Sequence, residues 1–304
     1  AAARGALLNA RGWDVEELGL FGAPEIDVFV GAEVHVTVLA ALRFLGLGQG
    51  RVTRVAVDGN GAMDPDELDQ RLRRRDGPTL VCAQAGNVST GACDPLERIA
   101  DAVAARGGWL HVDGAFGLWA AASPRRAHLV AGRERAQSWA VDAHKWLNVP
   151  YDCALAIVAD PTAHLRATAV SAAYFGDSGQ REPHHFVPEA SRRGRVIPVY
   201  AALRSLGRHG VAELIERSCA QAALMAGLLR DGGLEVLNEV VLNQVLVAGA
   251  PEHAARIQAD GTCWLGGTVW NGRPALRVSF SNWSTTEDDV RRSARAILHA
   301  AERD

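Results

Sequence analysis

Two stretches, Trp109-Leu-His-Val-Asp-Gly-Ala-Phe-Gly117 and Ser138-Trp-Ala-Val-Asp-Ala-His-Lys-Trp-Leu-Asn-Val-Pro150, decide how the rest of the chain is read. Each opens on a short run rich in apolar residues, which predicts a strand at Trp109–Val112 and another at Gln137–Val141. Each run then delivers a carboxylate, Asp113 or Asp142, at the strand end. Outward from this pair the pattern repeats. Toward the N-terminus, strands are expected at Thr79–Ala83, Val52–Val57 and Ile26–Val30, alternating with helices at Asp94–Arg106, Asp64–Arg75, Val34–Leu45 and Ala1–Trp13. A further strand follows at Ala154–Val158. Short apolar strands alternating with helices mean βαβ units, hence an α/β fold with a mainly parallel sheet flanked by helices. From Val196 the pattern changes to helices at Val196–Leu206 and Val211–Leu229, strands at Glu235–Leu237, Val245–Val247, Thr268–Trp270 and Leu276–Ser281, and a last helix from Thr286. A large domain over 1–207 and a smaller C-terminal α+β domain over 208–304 are therefore expected.

Composition narrows the function. With 48% hydrophobic and 22% charged residues, the 304-residue chain buries a substantial core. A net charge of −3 and a pI near 6.4 argue against a nucleic acid or an anionic membrane as partner. No apolar run approaches the roughly 20 residues of a membrane span, and no secretory leader is read at Ala1. Five scattered cysteines without CxxC spacing read as reduced thiols, neither a disulfide framework nor a metal site, so a cytoplasmic setting is expected.

One residue type is informative by its rarity. Of the 32 basic residues 31 are arginine, and Lys145 is the single lysine. Arginine carries surface charge but does no amine chemistry, because it does not deprotonate. A chain that keeps one primary amine, crowded by Trp146, Leu147 and Val149 at a strand end, can use it to form a Schiff base with an aldehyde. Asp113 calls for a cation where it leaves its apolar strand. A protonated pyridine nitrogen is one such cation, and a helix cap is the plainer alternative.

Together these segments resemble the group II pyridoxal-phosphate-dependent amino-acid decarboxylases, of the fold type I, aspartate aminotransferase-like architecture. The residues that carry the resemblance are His35 ahead of a helix, the Gly86–Pro95 loop, His111-Val-Asp113, His144-Lys145 and the Arg192-Arg193 pair. The resemblance implies that Lys145 forms the Schiff base with pyridoxal 5'-phosphate, that Asp113 pairs with its ring nitrogen, and that Ala115 and His35 cover its two faces. It implies that His144 contacts the phosphate or the substrate carboxylate, with Asn87, Asp142 and Ser138 also at the cofactor. Tyr174 falls where these enzymes carry a mobile-loop tyrosine that reprotonates the substrate carbon. Taken alone, His35 reads as a core histidine and Tyr174 as a half-buried aromatic. The activity implied is decarboxylation of an L-amino acid to an amine and carbon dioxide, by a homodimer, with no metal.

Three departures qualify the resemblance. Gly86-Asn87-Val88 stands where the family often has Gly-Thr-Thr, and Asp142 where many members have Asn. The family's glycine- and serine-rich phosphate loop, which precedes a helix like Ala1–Trp13, is not in the sequence, so the chain is expected to be the C-terminal two-thirds of a member that holds the cofactor weakly by itself. Other readings stay open: transamination or aldehyde formation on the same scaffold, with Arg277 as the carboxylate anchor or a plain strand-end charge, or a non-catalytic fragment. Phe116, Trp119 and Trp146 suit an aromatic substrate, or the core.

Overall fold

The computed structural model describes residues 1–170 and 179–301. Six strands form the main sheet: β1 (Asp27–Gly31), β2 (Thr53–Val55), β3 (Thr79–Gln84), β4 (Trp109–Asp113), β5 (Ser138–Asp142) and β6 (Ala154–Val158), in the order β2-β1-β3-β4-β5-β6. All neighbouring pairs are parallel except β5 and β6, which run antiparallel with Asp142 opposite Ala154. The antiparallel edge follows from the short 143–153 connection, which has no room for a helical crossover.

Side chains alternate across the sheet with period two. Phe29, Val81, Ala83, Leu110 and Val112 join one core, which also takes in Leu68 and Leu72 of α4 (Pro65–Leu72) and Ile99 and Val103 of α5 (Leu96–Ala104). Val28, Val30, Leu80, Cys82 and Trp109 face the other way, onto Leu7 of α1 (Ala2–Asn9), Leu42 of α3 (Val36–Phe44) and Ala163 of α6 (Pro161–Thr168). A four-residue helix, α2 (Val15–Leu18), follows α1. The result is helix, sheet, helix, and the second face carries the site.

Several elements differ from expectation for local reasons. The first helix stops at Asn9, followed by a turn through Gly12 at φ 75°. The helix expected from Asp94 starts at Leu96, because the Asp94 carboxylate is turned inward, accepting the backbone N–H of Gln84 and of Met63, each at 2.7 Å. Val236 makes only an isolated bridge to Val247 where a strand was expected. Helices α6 and α8 (Pro251–Asp260) were not foreseen, although Asp160-Pro161 carries a start signal: Asp160 accepts the N–H of Thr162.

The second sheet is antiparallel, in the order β7 (Gln244–Ala248), β9 (Arg273–Ser279), β8 (Gly266–Trp270), and packs with α8 and α9 (Glu287–Ala301). The two cores meet on α7 (Val196–Asp231), a helix broken only at Gly207, with φ 60° and ψ −175°. Val199, Val211, Leu214, Ile215 and Cys219 belong to the large core, whereas Ala222, Met225 and Leu229 belong to the small one. The change of core comes one helical stretch after this break, between Cys219 and Ala222. No helix among the described residues is long and apolar enough to cross a membrane.

Candidate active site

The sheet end where β3, β4 and β5 finish opens into a cavity of about 570 Å³. Lys145, Asp113, Asp142, Ser138, Ala115 and His35 all line it. Asp113 is the last residue of β4, so its side chain leaves the pleat on the same face as His111. Its Oδ1 accepts the N–H of Ala115 at 3.2 Å, and among the described residues no cation pairs with it. Ala115 in turn gives its carbonyl to the N–H of Asp142, fixing the two strand ends side by side. His35 caps α3, with Nδ1 2.7 Å from Thr37 Oγ1.

Lys145 lies in the turn after β5. Its Nζ is 3.0 Å from Asp142 Oδ2, so the carboxylate that replaces the expected Asn sits on the amine. Asn148 closes the turn in the left-handed region, at φ 57°, and its Nδ2 donates to the carbonyls of Lys145 and Trp146, at 3.2 and 2.9 Å, and also of Ser281. Its Oδ1 accepts the N–H of Trp283 at 3.1 Å, which ties the lysine turn to the end of the small sheet. Sequence reasoning passed over this residue. An Asn within three residues of the lysine, a type that tolerates positive φ, was the available signal.

Two of the expected cofactor residues are placed elsewhere. His144 is turned against the 151–153 segment, with Nδ1 2.7 Å from the Cys153 carbonyl and its ring 4.1 Å from that of Tyr151; its Nε2 is 3.6 Å from Asp142. Asn87 is buried within its own loop, where Oδ1 accepts the N–H groups of Ser89 and Thr90 and Nδ2 donates to the Glu33 carbonyl. Gly86 and Val88, on either side of it, line the cavity. Ser138 lines the wall, but its hydroxyl is engaged by Trp109 and His111. Tyr174 lies outside the described residues. Of the three aromatics, Phe116 lines the cavity, Trp119 donates its indole N–H to the Asp142 carbonyl at 3.0 Å, and Trp146 is core, 1% exposed.

The wall also holds Cys82, which the sequence did not offer as a site residue. His111 and Cys82 lie below Asp113, and burial pushes the Cys82 thiol up to about 12, with the Asp113 charge adding to it, so it stays a neutral thiol. Arg277 of β9 donates to the Val88 carbonyl at 3.1 Å, just behind the wall. Burial holds its guanidinium below its usual range, and no acidic side chain pairs with it among the described residues.

A half-buried carboxylate with no cation partner among the described residues and the chain's one lysine, in a cavity also lined by Ala115 and His35, fit a pyridinium ring with an aldehyde. The six-stranded sheet with its site at the strand ends and its small antiparallel partner define a fold type I pyridoxal-phosphate-dependent protein. Residues 8–248 match the model of the pyridoxal-dependent decarboxylase conserved domain, and the chain belongs to that family. It is 33% identical over 242 residues to the acidic amino acid decarboxylase GADL1 of Bos taurus, covering 74% of this chain and 46% of the relative. To the L-2,4-diaminobutyrate decarboxylase of Rhizobium meliloti (strain 1021) it is 30% identical over 297 residues, 90% of this chain and 59% of the relative. The chain thus spans about half the length of the curated relatives it matches. The crystal structure of mouse CSAD in apo form superposes with a TM-score of 0.90 at 23% identity, over 98% of this chain and 69% of that one. That of Oryza sativa TDC with PLP and tryptamine gives 0.89 at 25% identity, over 99% and 66%.

Proposed function

We propose that the chain carries the catalytic lysine and the ring-nitrogen partner of a decarboxylase that converts an L-amino acid to an amine and carbon dioxide. The observation that carries this reading is that the only lysine and an unpaired strand-end carboxylate, Lys145 and Asp113, face one cavity. When bound, pyridoxal phosphate supplies the electron sink that takes up the bond pair left by the departing carboxylate. Lys145 would hold the aldehyde carbon, Asp113 the proton on the ring nitrogen, and His35 and Ala115 the two ring faces. Asp142 Oδ2, 3.0 Å from Lys145 Nζ, accepts its hydrogen bond and holds the amine in place. Trp119 and Ala115 pin the Asp142 backbone, so that carboxylate stays in register with the lysine. Tyr174, from the sequence, is the candidate proton donor to the substrate carbon.

The named relatives act on acidic amino acids and on 2,4-diaminobutyrate, which makes short, charged L-amino acids the first substrates to try. Arg277 is the candidate anchor for a substrate carboxylate, and it also gives the transamination reading its specific support. We further propose a cytoplasmic homodimer. Its support is the first half of α7, where Val196, Tyr200 and Leu203 follow helical spacing and are exposed. The deciding experiment is product analysis with pyridoxal phosphate and this panel of amino acids. Amine and carbon dioxide in equal amounts are expected; keto acid without carbon dioxide would transfer the reading to an aminotransferase, and no visible absorbance with the cofactor would leave a non-catalytic chain.

A further inference from the structure

Below Asp113 a chain of hydrogen bonds crosses from β4 to β5. Trp109 Nε1 donates to Ser138 Oγ at 2.8 Å, and the same oxygen is 2.9 Å from His111 Nδ1. The register places His111 directly opposite Ser138, and one pleat further on Asp113 opposite Ala140. An indole only donates, so Ser138 Oγ accepts from Trp109. The hydroxyl keeps one proton of its own, and Nδ1 of His111 is the acceptor beside it. The tautomer with its ring proton on Nε2 is the one in which the hydroxyl proton has an acceptor among the described residues, and His111 lines the cavity.

Charging His111 would bring a third hydrogen to Ser138 Oγ and leave the hydroxyl proton without an acceptor, a cost on the order of 1–3 kcal/mol for a buried donor. Burial acts in the same direction and pushes the imidazole below its ordinary range. Against them stands Asp113, which pulls the imidazole up. Opposite His111 on β3 stands Cys82, a neutral thiol, and Asp142, Lys145 and His164 line the same cavity.

We infer that Trp109 and Ser138 hold His111 uncharged, so that Asp113 has no imidazolium beside it and its whole charge is reserved for the ring nitrogen of the cofactor. Ser138 is then a positioning residue. The inference rests on the role given to Asp113 above, but the hydrogen-bond chain is measurable without any cofactor.

The test is an NMR titration of the chain with isotope-labelled histidine rings, His111→Gln serving to assign the signal. The expected result is an Nε2–H tautomer that stays neutral to below pH ~6.5. Ser138→Ala should raise the His111 midpoint by about one unit, and Ser138→Thr, which keeps the hydroxyl, should restore it. An Nδ1–H tautomer in the wild type, or an unchanged midpoint in Ser138→Ala, overturns the inference whatever the cofactor does. If Ser138→Ala fails to fold, the wild-type tautomer and the Ser138→Thr midpoint decide. In a second arm, absorbance titration with pyridoxal phosphate should show Ser138→Ala losing about tenfold in affinity at pH ~6 and little at pH ~8. Equal loss at both overturns the link to Asp113. No binding by any variant counts against the cofactor reading alone, and the NMR arm then decides the hydrogen-bond chain by itself.

Discussion

A single lysine makes the amine chemistry of this chain unusually easy to assign. Reduction with borohydride in the presence of pyridoxal phosphate, followed by peptide mapping, should label Lys145; label confined to the Ala1 amine would refute its role. Asn148 sets where that amine stands. Asn148→Ala removes the donors to the Lys145 and Trp146 carbonyls and asks an alanine to hold φ 57°. The expected loss is about 1–3 kcal/mol in denaturant unfolding, together with slower trapping of the cofactor at Lys145. Asn148→Gly keeps the backbone and loses only the tether, so it should fall between the two. Rarity singles out Lys145 and an apolar strand end singles out Asp113, and the structure lines one cavity with both. Asn87 and His144 stand out as polar residues at strand ends, and the sequence carries no sign that Asn87 Oδ1 is taken by Ser89 and Thr90 or His144 Nδ1 by Cys153.

Among the elements, the 84–94 loop is held by a carboxylate that has no cation. Asp94 is 3% exposed and joins Gln84 at the end of β3 to Met63 ahead of α4. Burial pushes its acid up to about 6, against the lowering effect of its two N–H donors. A carboxylate whose folded value is raised stabilises the protein below the unfolded value, near 3.9, and that contribution is lost as pH rises toward 6. Unfolding experiments should therefore show wild type losing stability over that window relative to Asp94→Ala, which lacks the titration. At neutral pH the same variant leaves two buried N–H groups without acceptors and should be destabilised by about 2 kcal/mol. Asp94-Pro95 reads as a helix start, and the sequence shows no reason for the acid to turn inward. The central strands were readable because burial on both faces makes them continuous apolar runs. Helix α8 was missed because a run in which only Ala254 and Ile257 are buried has too little apolar surface to show a period.

For the whole molecule, the proposed pairing of two copies makes a direct demand on α7. Tyr200 is 66% exposed at the centre of its apolar stripe. Tyr200→Asp should shift sedimentation toward the monomer while leaving the far-ultraviolet spectrum intact; an unchanged monomer in both proteins would remove the homodimer. The α/β architecture was legible at this scale, since alternation of strand and helix is a property of many residues at once. The arrangement of the two cores was not, because the change of partner falls inside the stretch 211–229, whose apolar pattern runs on through Cys219 and Ala222.

That shared helix has a consequence for how the protein comes apart. Where a flexible linker joins two lobes, a protease cuts and each lobe survives. Here the join is the helical stretch after Gly207, which changes allegiance between Cys219 and Ala222. A cut at Gly207 would leave Val211, Leu214, Ile215 and Cys219 on the C-terminal piece, facing water in place of the large core. The smaller lobe is thus a tenant of the larger one, and heat or denaturant should melt the two in a single step.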